Sequence, residues 1–397
     1  MINLAVRDIL HGWGKFAFTG VGLGLLIGVT LSMAGIYRGM VEDATVLIEG
    51  SGADLWVVQQ GTLGPYAEPS SLRDDVHHAI AGMPGVAAVG NAAYLTMQVG
   101  HAGVESRVML VGFEPGRPGE PAFLVAGRPI LRGHYEAVAD EKAGLRVGDR
   151  VRIRRHEYEV VGLTRRMVSA SGDPMLFVPL KDAQEVQFLK DNDTLVIERA
   201  RTAANPAFNR PGVPGLLEAV QASQAQSRQV NSVLVRVAEG ADPEEVAGEI
   251  RRWKRLQAYT TAQMEEILVA KLIATSSKQI GMFLVILSVV SAAIVAFIIY
   301  TLTVNKVREI AVLKLIGATN ATIGGMILQQ ALGLGVIGFV VGRIVAGLWA
   351  PVFPKYVLLL PGDALRGFVL VMVICALASV VAIRAALRVD PAEAIGG

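Results

Sequence analysis

The sequence predicts an α-helical membrane protein with four transmembrane helices plus a large α+β extracytoplasmic domain between the first and second. Three observations lead there. The chain of 397 residues is 52% hydrophobic and only 18% charged, with a mean hydropathy of +0.46, which is more apolar than water-soluble domains of this size. Four stretches are apolar for about 20 residues or more, the length an α-helix needs to cross about 30 Å of hydrocarbon. A single long polar region separates the first stretch from the second, while the other connections are short.

The elements follow in order. Residues 1–15 read as a cytoplasmic interfacial helix, because Ile2, Val6, Ile9, Trp13 and Phe16 share one helical stripe and Asn3, Arg7, Asp8, His11 and Lys15 the other side. The transmembrane helices are expected at 16–37, 279–303, 322–349 and 367–386. The first exceeds a secretory h-region and lacks a small-residue cleavage site, so it is read as a retained anchor. Residues 38–278 form the outer domain and its stalk, 304–321 a loop, 350–366 a short external loop and 387–397 a tail. Orientation comes from the basic residues that resist translocation. Arg7, Lys15, Lys306, Arg308, Lys314, Arg384 and Arg388 fall on one side, against Arg38, Lys355 and Arg366 on the other. Both termini and the 304–321 loop are therefore expected in the cytoplasm, and the large domain outside it.

Inside the outer domain, "GADLWVVQQ" reads as a strand and "SSLRDDVHHAIAGMPG" as a helix with a Ser71/Asp74 capping box, stopped by Gly82 and Pro84. A strand resumes at "VAAVGNAAYLTMQV". Near the far end "NSVLVRV" alternates like a strand, and Asp242 with Pro243 opens a helix, with Glu245 at the capping-box position, running to about Trp253. Two β-α-β halves thus bracket a β-rich insertion at about 104–198, which holds the hairpin "DRVRIRRHEYEVVGL" and the buried strand "PMLFVPL". "RTAANPAFNRPGVPG" reads as a loop, and "AQMEEILVAKL" as a stalk helix leading into the second crossing.

Several chemistries are missing from the sequence. The formal charge of +2 is too small and too mixed for a nucleic-acid surface. One cysteine, Cys375, excludes an intramolecular disulfide. No phosphate-cradling GxxxxGK[ST] loop and no GxSxG elbow occur. "HEYEV" begins like a zinc-protease helix but has Val160 where the second histidine is required. His77 and His78 are adjacent and cannot share a helix face; His101, His134 and His156 are isolated in sequence. The crossings carry no acidic residue for a proton relay. Gln329 and Gln330 read as interhelical hydrogen-bonding groups, and Arg343 as a snorkelling side chain. Gly20, Gly24 and Gly28, like Gly338 and Gly342, repeat every four residues and permit close helix approach, within a bundle or across a dimer.

The loop "VNKVREIAVLKLIGATN" is the most informative stretch. It is expected to continue the second crossing as a helix, stop at Gly317 in a left-handed cap and restart at Thr319 or Asn320. Its charges do not make one polar face, and Val307, Ile310, Ala311, Val312, Leu313, Leu315 and Ile316 leave enough apolar surface to imply a covering protein.

At "REIAVLKLIGAT" the chain resembles the FtsX-like permease superfamily. The tail "VDPAEAI" is similar to that family's ending, "LVAGRPI…GDRVRIRRHEYEVVGL" to the MacB-type periplasmic core domain, and "GADLWVVQQGT" to the DevC-type branch. One difference is Gln330, where the family often has glutamate before alanine. The resemblance implies a type VII ABC permease subunit in the bacterial inner membrane, not an enzyme by itself. It would work by mechanotransmission, coupling ATP hydrolysis in a partner to export or extraction of a substrate on the outer side; the alternative is an FtsX-like transducer that regulates an outer partner. Implied partners are cytoplasmic ABC ATPase subunits, a second copy in a homodimer and a periplasmic adaptor. The chain itself would bind no cofactor or metal, ATP and Mg belonging to the ATPase. Val307, Arg308, Glu309, Val312, Lys314 and Leu315 would form the coupling surface and Gly317 its pivot.

Overall fold

The computed structural model describes residues 13–187, 192–208, 215–225, 228–253, 255–353 and 356–387. The interfacial helix expected before residue 13 and the tail expected after residue 387 lie outside them. The chain divides into two compact units, residues 41–274 and residues 1–40 with 275–397.

The first helix, α1 (Trp13–Glu49), runs past the expected end of the first crossing and ends at the Gly50–Gly52 turn, where Gly52 adopts a φ of +60°. Beyond it the α/β unit comprises β1 (Leu55–Gln59), β2 (Leu72–Arg73), α2 (Val76–Ala81), β3 (Val86–His101), β4 (Val104–Phe113), β5 (Leu124–Gly127), β6 (Glu136–Asp140), β7 (Arg150–Ile153), β8 (His156–Thr164) and β9 (Met175–Pro179). There follow α3 (Leu180–Gln187), α4 (Asn192–Ala204), α5 (Leu216–Ala225), β10 (Gln229–Val230), β11 (Ser232–Val237), α6 (Pro243–Arg251), β12 (Leu256–Thr260) and α7 (Thr261–Ile267).

One ten-stranded sheet runs in the order β12-β1-β11-β3-β4-β9-β6-β8-β5, with β7 pairing β3 and β8. The apolar runs of β1, β11 and β9 are buried on both faces, as central strands must be. The two β-α-β halves do not stand apart. β1 lies between β12 and β11, so the halves interleave, and the 16-residue β3 pairs β11 with its first half and β4 with its second. The strands from Val104 to Pro179 are thus a continuation of the same sheet. The β7–β8 hairpin forms antiparallel from Arg150↔Glu159 to Ile153↔His156.

Three local expectations are corrected. Ser71 and Asp74 form no capping box: Leu72–Arg73 pairs with Gln229–Val230, and the helix begins only at Val76 with no side-chain cap on Asp75. Long-range strand pairing has overridden a local helix signal. Arg201–Ala204, expected in a loop, complete α4, and Leu180–Gln187 and the start of α4 are helical where β structure was expected. The Asp242 cap forms as expected, its carboxylate accepting from the Glu244 N–H at 3.0 Å, and α6 ends at Arg251, close to the expected end.

From α7 the backbone passes through a π-helical segment, Leu268–Ile273, into α8 (Ala274–Val304). Then come α9 (Val307–Leu315), α10 (Asn320–Trp349) and α11 (Pro361–Leu387). Among the described residues, four helices are long and apolar enough to cross a membrane: Ala17–Glu49, Ser276–Val304, Asn320–Val352 and Pro361–Leu387. Ser288, Ser291 and Thr303 bond back to carbonyls four residues earlier, at 2.7 Å, so their hydroxyls present no unmet polarity on apolar helices. Leu23, Ile27, Val295, Ile299, Ile327, Leu334, Cys375 and Ala378 belong to one apolar core.

Candidate functional site

The helix expected to run on from the second crossing is broken. α8 stops at Val304, the N–H of Lys306 turns back to the Thr303 carbonyl at 3.0 Å, and a separate nine-residue helix, α9, begins at Val307. Neither Gly nor Pro marks this break. At its other end α9 closes as expected: the Gly317 N–H reaches the Lys314 carbonyl at 3.1 Å and the Ala318 N–H the Leu313 carbonyl at 2.9 Å. Gly317 has a φ of +98°, the left-handed conformation this pair of bonds requires. Thr319 then caps α10, its hydroxyl accepting from the Thr322 N–H at 3.3 Å.

The break changes which side chains α9 offers. Ile310 and Ala311 are buried, whereas Arg308, Glu309, Val312, Leu315 and Ile316 are exposed. Those five recur at helical spacing and form one stripe, charged in the first turn and apolar in the last. Leu315 is 66% exposed and Ile316 79%. Of the expected coupling residues, Arg308, Glu309, Val312, Leu315 and Gly317 share this surface. Val307 and Lys314 do not: both are half-buried on the opposite side, and Lys314 Nζ donates to the Leu387 carbonyl at the end of α11 at 3.0 Å. Ile316, expected on the apolar surface of this stretch but not among the coupling residues, extends the stripe by one residue.

The glycine residues meet within this chain. A Cβ on Gly20 would lie 2.5 Å from Ile337 Cγ2, on Gly24 2.6 Å from Val341 Cβ, and on Gly28 3.2 Å from the Gly342 carbonyl oxygen. Reciprocally, a Cβ on Gly338 would press on Leu23 at 2.9 Å and one on Gly342 on the Gly24 carbonyl at 2.8 Å. Missing side chains on both helices let α1 and α10 approach backbone to backbone. Gln330 is buried in α10.

The histidines of the α/β unit are held by neighbours. His77 bonds the Asp74 carbonyl and Asn91 Nδ2, His101 lies 3.4 Å from Asp149, and His134 and His156 flank the Tyr135 ring and pair with Asp182 and Glu185. No group of three His, Cys, Asp or Glu among the described residues is placed to hold a metal.

Residues 16–253 match the MacB-like periplasmic core domain family, and residues 281–391 match the FtsX-like permease C-terminal family. Two uncharacterized ABC transporter permeases of Mycobacterium tuberculosis are 23% identical over 397 and 401 residues, each alignment covering 100% of both chains. The periplasmic region of MacB from Actinobacillus actinomycetemcomitans aligns with 56% of this chain and 95% of its own at 11% identity and a TM-score of 0.35.

Proposed function

The chain belongs to the FtsX/MacB-like ABC transporter permeases, and from that premise we propose that it is a permease subunit working by mechanotransmission. In this reading a separate cytoplasmic ATPase docks on α9. Its ATP-driven motion passes through α8 and α7 to the α/β unit, which acts on a substrate at the outer side of the inner membrane.

The exposed stripe on α9 carries the proposal. An isolated helix that buries Ile310 but leaves Val312, Leu315 and Ile316 outside presents apolar surface that a partner can cover. Allowing for their partial burial, covering those three side chains is worth about 4 kcal/mol. Reversing a 1:99 conformational ratio needs about 5.5 kcal/mol of differential binding. The two are of the same order, so docking that is tight in one state and loose in the other suffices once the Arg308 and Glu309 contacts are added. A homodimer would double the lever.

The test is a charge reversal, Arg308→Glu with Glu309→Lys, and separately Leu315→Asp with Ile316→Asp. Both variants should insert in membranes normally. The first should uncouple ATP hydrolysis from transport and the second should weaken association with the ATPase by at least about tenfold. Normal coupled activity in both would refute the docking assignment.

A further inference from the structure

A cavity of about 750 Å³ opens in the α/β unit between β12 and the helical turns that follow it. Sites for small organic molecules run from about 300 to 1,000 Å³. One wall carries Leu63, Arg251 and Tyr259; the other, from α7 and the π-helical segment, carries Glu266, Ile267 and Lys271.

The first wall is fixed by its own hydrogen bonds. Arg251 donates from Nε to the Ala258 carbonyl at 3.0 Å, from Nη1 to Glu244 at 2.7 Å and from Nη2 to Gln263 at 3.2 Å. Gln263 also accepts from the Thr260 N–H at 3.3 Å. β12 begins the sheet, and here side chains take the place of a further strand. Three of the five N–H groups of Arg251 are used in this way, so two remain for a ligand. The Tyr259 hydroxyl donates to the Thr62 carbonyl at 2.6 Å, which holds its ring in the wall beside Leu63.

The second wall carries charges without partners. Glu266 and Lys271 are exposed, and neither side chain makes an ion pair or hydrogen bond with a described residue. Five residues apart on an α-helix, they would project about 140° from one another. The segment Leu268–Ile273 is π-helical, and its wider i→i+5 turn lets both line one cavity. Such turns are rare and gather at functional sites.

Charge and spacing decide what fits. Arg251 is matched by Glu244, and Glu68 is engaged by the Leu63 N–H at 2.9 Å. The cavity therefore offers one unmatched cation, Lys271, and one unmatched anion, Glu266. A ligand of a single sign would meet a like charge, and an uncharged one would strip water from both charges without replacing it. Five helical residues rise by at most about 7.5 Å, and an extended dipeptide spans about 7 Å.

We propose that this cavity binds a dipeptide-sized zwitterion with apolar side chains. Its ammonium meets Glu266, its carboxylate meets Lys271 and the two remaining N–H groups of Arg251, and its side chains lie on Leu63, Ile267 and the Tyr259 ring. Once bound, it ties the π-helical turn to β12. The proposal is independent of the docking assigned to α9, and its failure leaves that assignment standing.

The probe is leucyl-leucine, titrated calorimetrically into the full chain in phosphatidylcholine nanodiscs. Binding is expected to protect the amides of residues 268–273 from hydrogen exchange. Acetylating the amino end or amidating the carboxyl end should each weaken it by at least about tenfold. Glu266→Gln should abolish the penalty of acetylation but keep that of amidation, and Lys271→Gln should lessen only the penalty of amidation; unchanged circular dichroism verifies that both variants fold. No binding to the wild type, equal binding of the doubly capped dipeptide, or an undiminished acetylation penalty in Glu266→Gln overturns the proposal. Phosphatidylethanolamine bears the same pair of charges on its headgroup, so loss of dipeptide affinity when it replaces phosphatidylcholine assigns the cavity to lipid and also overturns it.

Discussion

Replacing Gly24 by alanine tests the close approach of α1 and α10. The new Cβ would stand 2.6 Å from Val341 Cβ and 3.0 Å from the Gly338 carbonyl oxygen, against an ordinary contact of 3.4 Å or more. A Cβ is fixed by its own backbone, so no rotamer change at Val341 relieves the overlap and the helices must part by roughly 0.8 Å, the difference between 3.4 and 2.6 Å. Parting also loosens the neighbouring contacts at Gly20 and Gly28. Overpacking of this kind costs about 1–3 kcal/mol, and the absence of any adjusting side chain places Gly24→Ala at the upper end. Gly20→Ala should cost less, because its clash is with Ile337 Cγ2, which rotation about χ1 can move. Gly22→Ala is the control: nothing lies within 4 Å of its Cβ, and alanine gains helix propensity, so it should be neutral or stabilising by up to about 1 kcal/mol. The assay is reversible unfolding in mixed micelles, with Val341→Gly added to Gly24→Ala as a rescue. If Gly24→Ala proves no more harmful than Gly22→Ala, or if Val341→Gly shows no coupling to it, the α1–α10 contact is not as described.

Two further outcomes are expected. Gly317→Ala should destabilise by about 1 kcal/mol through backbone strain alone, since φ is +98° and no atom lies within 4 Å of the new Cβ; Gly317→Asn should cost less, and thermal unfolding distinguishes them. Hydrogen bonding from Arg128 lowers the Glu136 carboxyl from the ordinary 4.5 to about 2. A depressed folded-state value means that the stabilisation is complete above the unfolded value and is lost as pH falls from about 4.5 toward 2. Its size is at most about 3 kcal/mol, and less because Arg128 is partly in water. Fluorescence of the buried Trp56 should show the wild-type midpoint falling across that window more steeply than that of Glu136→Gln; parallel pH profiles would refute it.

What could be read from the sequence depended on whether the cause was local. The apolar lengths of the four long helices, the Asp242–Pro243 start of α6 and the Gly317 stop of α9 are each written within a few residues, and each appears near its expected place. The Ser71 signal is equally local, yet a two-residue strand contributed by Gln229–Val230 displaces it. The interleaving of β1 between β11 and β12 depends on partners nearly 200 residues away and has no local mark. At the candidate site, the charged and apolar character of α9 is legible, but its separation from α8 is not, because Asn305 and Lys306 are ordinary helix residues. That break decides which of the expected contacts face outward, and it turns Val307 and Lys314 inward. The spacing of Gly20, Gly24 and Gly28 announces a close approach without naming Ile337, Val341 or Gly342 as the surfaces approached.

The bond from Lys314 to the Leu387 carbonyl gives α9 a second attachment besides the seat of Ile310 in the core it shares with Ala382 and Ala386. Tilting the short helix therefore drags on the last turn of the final one, and the two respond as a single rocker. Whatever grips that rocker from outside bears on the sequence at two places more than 70 residues apart, and the load is split before it travels anywhere else.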